Sequence, residues 1–142
     1  MERRERRAWL GIVLASLMLG CLTVSPRVEI MGDLDPVESP KLFVTTRPAW
    51  ERSTADERWV RRVPMLLEEA GLTVVDSARD ADLVLIGLFG PAGTPARCGA
   101  IRNYELKIVQ QGFTRISISG RNCERTIVHQ SVAELVRLLQ QE

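Results

Sequence analysis

The 142-residue chain has few of the side chains that carry out chemistry: one His, one Tyr and three Cys. The single histidine, His129, has no Gly-x-Ser-x-Gly nucleophile motif to serve. The cysteines form no Cys-x-x-Cys pair, so a zinc site lacks its usual donors. Asp76, Asp80 and Asp82 lack the Gly and the closing Glu of a calcium loop and read as turn formers and caps. "GPAGTP" has two prolines and no Gly-Lys-Ser/Thr, so it is no phosphate cradle. Without positioned acids, bases or nucleophiles, no enzyme, cofactor or metal is expected. Aromatics make up 5% of the chain, so the core must be built from Val, Leu and Ile, with little room for an apolar ligand pocket.

Charge of one sign is also missing. The net charge is +1, and it is unevenly placed. Residues 1–20 hold Arg3, Arg4, Arg6 and Arg7 against Glu2 and Glu5, which leaves 15 basic and 16 acidic side chains in the remainder. That balance gives no electrostatic case for nucleic acid. Long hydrophobic runs are absent too. The longest, Ala8 to Val24, has 17 residues, at the lower limit of the roughly 20 that span a bilayer.

What is present begins with that run. A basic start, a short apolar stretch and small residues make a secretory signal over residues 1–20. An uncleaved inner-membrane anchor is the alternative. The end of the run, "LASLMLGC", resembles the lipobox of bacterial lipoprotein signals, with Gly20 and Cys21 in the matching places and Met18 and Leu19 departing from the usual residues. That resemblance implies cleavage before Cys21, acylation of Cys21, and attachment to the membrane by lipid. Leu22 after the cysteine implies the outer membrane, on its periplasmic face. Several acyl chains hold far more firmly than one.

In an oxidising compartment Cys98 and Cys123 are expected to form a disulfide, with two free thiols as the alternative. Residues 21–40, with three prolines and four carboxylates, read as a flexible tether in which only "VEI" suits a strand.

Residues 41–142 read as one α/β domain. "KLFVTT" suits a strand. Thr54 with Glu57 makes a capping-box pattern, and Val60, Val63, Leu67 and Ala70 recur at helical spacing up to Gly71, with Pro64 expected to kink or restart the helix. Arg58, Arg61 and Arg62 fall on the other side and read as a solvated face. "LTVVD" is a short strand. "LVLIGLF" is uniformly apolar, as in a strand covered on both faces. "NYELKIV" and "FTRISIS" alternate about "QQG", a hairpin. Ser131 with Glu134 suggests a second cap before a last helix, whose start "ERTIVHQ" leaves open. Together these give an α+β two-layer sandwich: a mixed sheet of four to five strands with two helices.

"LLEEAGLTVVD" followed by "DADLVLIGLF" is similar to the small α/β domain of bacterial envelope proteins: the amino-terminal domain of the Tol-system propeller protein, the curli-secretion-type lipoproteins and the lipopolysaccharide-assembly lipoprotein. The resemblance implies a fold and carries no working residue across. The function expected is that of a lipid-anchored accessory or structural protein of the cell envelope, acting through an envelope protein partner. The alternative is a periplasmic binding module for a small molecule, lipid or glycan. The candidate contact residues are Arg47, Trp50 and Arg52, since Trp and Arg are enriched at binding hot spots. Against this stands Trp50 folding back as a packing lid.

Overall fold

The structure is a computed structural model and describes residues 24–93, 95–96 and 99–140. The expected signal, Cys21 and Cys98 lie outside these. The fold is α+β, with two helices and a mixed open sheet. The strands are β1 (Val24–Ile30), β2 (Lys41–Thr45), β3 (Thr73–Val74), β4 (Leu83–Phe89), β5 (Pro95–Ala96), β6 (Gly99–Gln110) and β7 (Phe113–Cys123). The helices are α1 (Thr54–Glu69) and α2 (Glu124–Leu139). Six strands run in the order β1-β7-β6-β4-β2-β3, and β5 pairs beside them with β6.

The sheet is larger than four to five strands because the expected tether contributes one. Residues 24–30 form β1, antiparallel to β7, with Val28 opposite Ile118 and Ile30 opposite Ile116. The alternation of Val28 and Ile30 with Arg27 and Glu29 supplies the two-residue period that a strand needs. Pro26 sits where the β1–β7 register slips between Val24 and Arg27, a bulge on an edge strand, which is where a residue without an N–H is tolerated. Beyond β1 the chain is pinned at Asp35: its N–H donates to Gln110 Oε1 at 2.7 Å, and its carbonyl accepts from Gln110 Nε2 at 3.0 Å.

β2 pairs in parallel with both β3 and β4, and all other pairings are antiparallel. β4 buries Leu83, Leu85 and Phe89, but Val84, Ile86 and Leu88 are only half-buried. It is therefore covered on one face rather than two, despite its uniformly apolar sequence. Leu106 and Ile108 of β6 and Ile116 and Ile118 of β7 continue the buried face. Gln111 and Gly112 both have positive φ, as a two-residue turn of the mirror-image type requires, so "QQG" does close the β6–β7 hairpin.

α1 packs on β2, β3 and β4, and α2 on β6 and β7. Trp59, Val63 and Leu67, spaced by four, form the buried stripe of α1. The cap lies one residue earlier than the sequence pattern suggests. Ser53 Oγ accepts from Asp56 N, while Asp56 Oδ2 accepts from Ser53 N at 2.9 Å. α1 runs unbroken through Pro64 and ends at Gly71 (φ 89°), with Leu72 N donating to Leu67 O and Gly71 N to Glu68 O, a Schellman closure. α2 starts directly at the end of β7, so "ERTIVHQ" belongs to the helix. Ser131, expected as a cap, is buried mid-helix and donates back to the Ile127 carbonyl.

Candidate functional site

Because β2 and β4 are parallel, the segments that follow them emerge at the same end of the sheet. β7 also ends there, opposite the start of β6, with Cys123 paired to Ile101. Both helices therefore begin at this end and run back side by side over the sheet. Between their first turns lies a cleft of about 690 Å³. This is more room than the sparse aromatics suggested. It opens between the first turns of the two helices.

The floor of the cleft includes Phe89, Ala55 and Val128, all buried. Its wall is charged. The Glu124 carboxylate, in the first turn of α2, receives Arg102 Nε at 3.1 Å and the Arg58 guanidinium. Arg102 and Glu124 are both close to nine-tenths buried, whereas half of the Arg58 side chain meets solvent. Arg102 also donates to the Gly90 carbonyl at 3.1 Å, which ties the end of β4 to β6. Arg62 lies one turn beyond Arg58 on α1, and His129 one turn beyond Arg125 on α2. Among the described residues, Arg62, Arg125 and His129 have no ion-pair or hydrogen-bond partner. Four arginines thus face one carboxylate, and the positive ends of two helix dipoles point the same way.

Arg47, Trp50 and Arg52 occupy the same end, in the segment between β2 and α1. The two arginines are engaged within the chain: Arg47 Nη2 donates to the Phe89 carbonyl at 2.9 Å, and Arg52 Nε to the Arg47 carbonyl at 2.9 Å. They brace the segment that carries Trp50. Trp50 itself is 84% exposed, so it is not a packing lid. Cys123 carries a disulfide bond whose other sulfur lies outside the described residues.

The sequence reading missed Arg102, Glu124 and Arg125; Arg58 and Arg62, expected on a solvated face, are exposed as expected and also line the cleft. The i,i+4 repeats Arg58/Arg62 and Arg125/His129 were the available signal. What brings them face to face is the parallel β2–β4 pairing, which no local pattern states. Among the described residues no group of three His, Cys, Asp or Glu could hold a metal, and no helix is long and apolar enough to cross a membrane.

No protein-family model matches the chain, and no curated protein matches it. Solved structures do. A methionine-for-leucine variant of the PelC dodecamer from Paraburkholderia phytofirmans is similar over 83% of this chain and 99% of its own, at 15% identity and a TM-score of 0.55. A second crystal form of the PelC dodecamer matches at 14% identity over 82% of this chain and 94% of its own, TM-score 0.48. A PDZ domain protein from Parabacteroides distasonis matches at 8% identity and a TM-score of 0.53, over 84% of this chain and 36% of its own. The likenesses to the PelC variant and to the PDZ domain protein, with TM-scores of 0.55 and 0.53, show a small α/β fold.

Proposed function

We propose that this chain is a lipid-anchored accessory or structural protein of the bacterial cell envelope that acts through protein–protein contacts. The observation that carries the reading is an exposed apolar patch where β1 leaves the sheet. Ile30 and Met31, where β1 ends beside β7, and Phe113, at the start of β7, are each more than half exposed. Grouped apolar side chains on a surface mark a contact site. Met31 N and Gly32 N both bond the Arg115 carbonyl, so the patch is held in place by backbone and does not hang on a loose end. PelC, similar in fold, was solved as a dodecamer, which makes self-association the first contact to test.

The anchor is Cys21, acylated after cleavage of residues 1–20, on the periplasmic face of the outer membrane. With β1 starting at Val24, only Leu22 and Thr23 separate the acylated residue from the sheet. The two-layer sandwich and the kinship with the Tol-propeller and curli-type domains belong to the same proposal.

Two measurements test it together. Palmitate labelling in cells should mark the wild type and not Cys21→Ser. Cross-linking in the intact envelope should give a defined partner or ladder of copies that Ile30→Lys with Phe113→Lys abolishes. Equal label in both chains would overturn the anchor, and an unchanged cross-link pattern would overturn the patch.

A further inference from the structure

The end of the molecule that carries the cationic cleft is also the end at which β1 begins. Val24 pairs with Arg121, two residues before β7 closes at Cys123, and Glu124 of the cleft comes next. β1 is two strand spacings from β6, about 10 Å. A lipid on Cys21 therefore brings this end of the domain to the membrane surface.

Two features at that end suit such a surface. The first is the set of cations without partners. Arg62 and Arg125 carry like charge on facing helices, and the one carboxylate of the cleft lining, Glu124, is already shared by Arg102 and Arg58. A cleft lined by charge of one sign concentrates the opposite charge. The second is Trp50, a braced, exposed indole on the same end. Trp combines an apolar ring with an N–H donor and concentrates where hydrocarbon meets water. Anionic lipid offers phosphate to the first and acyl chain to the second.

We infer that the end formed by the two helix starts is a membrane-docking face, whose cleft binds the phosphate of an anionic phospholipid headgroup while Trp50 enters the interface. Arg62 and Arg125 supply donors to the phosphate, and the first turns of α1 and α2 add their backbone dipoles. Arg58 and Arg102 remain on Glu124 and hold the walls apart. The inference rests on the lipid-anchor reading for its orientation, but the cleft's chemistry can be measured without acylation.

The test is calorimetric titration of the full chain in neutral detergent, as wild type and as Cys21→Ser, with soluble dihexanoyl phosphatidylglycerol, dihexanoyl phosphatidylcholine and inorganic phosphate. Saturable binding of the phosphatidylglycerol is expected in both chains, with the choline lipid and free phosphate each at least tenfold weaker. Arg62→Ala with Arg125→Ala should weaken it at least tenfold while leaving the melting temperature unchanged or raised. Trp50→Ala should weaken the lipid several-fold and leave free phosphate unaffected. Undiminished lipid binding in the double-arginine variant would overturn the cleft as the site. Free phosphate binding as tightly as the lipid would make the occupant a soluble anion and overturn the docking face. Because Cys21→Ser is titrated in parallel, a failed anchor and a failed cleft are read separately.

Discussion

Trp59 of α1 lies flat against Gly87 of β4, and a Cβ at residue 87 would stand 2.6 Å from the indole Nε1. The ring has nowhere to retreat. Its N–H bonds the Thr45 carbonyl at 3.2 Å, and Phe89 meets it with ring centroids 5.6 Å apart. Gly87→Ala should therefore cost about 1–3 kcal/mol by overpacking. Thermal unfolding should show the melting temperature lowered by about 4–8 °C for each kcal/mol. A variant as stable as the wild type would show that Trp59 can move.

Glu124→Gln removes the carboxylate that Arg102 and Arg58 share. Arg102 is then left nearly buried with only the Gly90 carbonyl. Breaking a fully buried pair costs about 3–5 kcal/mol, and the solvent around Arg58 reduces this to about 2 kcal/mol here. Chemical denaturation should show the loss with an unchanged dependence on denaturant.

Cys98 stands just before β6, whose Ile101 is opposite Cys123. A Cys98–Cys123 bridge would close a loop of about 25 residues and stabilise by roughly 3–4 kcal/mol. A tryptic digest without reductant should contain the linked peptide pair, and reduction should lower stability by that amount. Cys98 recovered as a free thiol from the native protein would refute the pairing.

Tyr104 is the chain's single tyrosine, so its ionisation can be followed alone in the ultraviolet. Burial raises its pKa above the ordinary 10.0, and the negative charge of Glu134 adds to the rise. The unfolded chain thus ionises first. The stability contribution is intact below pH 10 and declines as the pH climbs through the raised value. Glu134→Gln should bring the tyrosinate transition back toward pH 10, and a wild-type midpoint at the ordinary value would contradict this.

The elements that follow from local period were legible in the sequence: α1 with its Gly71 stop, β2, β4 and the hairpin about Gln111 and Gly112. The misses have physical causes. Ser53 and Thr54 are both good caps, and only the position of Asp56 decides between them. β1 looked like tether because Pro26 disguises a strand that a bulge lets it join. The apolar outer positions of β4 read as buried, although the half-covered face keeps them partly open. The cleft could not be seen at all. Arg102 and Glu124 are 22 residues apart and meet only because β6 and β7 are antiparallel and α2 begins where β7 stops. Trp50 was visible as a candidate, but its exposure depends on Arg47 and Arg52 being used for bracing.

An open edge strand is a template on which sheets grow without limit. Here Pro26 removes one donor, the bulge twists the first part of β1 out of register, and only Arg27–Ile30 remain as regular edge, with Arg27 and Glu29 charged. These features blunt β1 as a template for edge-to-edge growth, a safeguard against fibrils. Contacts of the kind proposed through Ile30, Met31 and Phe113 would join side chains and not a continuous backbone ladder, so partners held that way could still part.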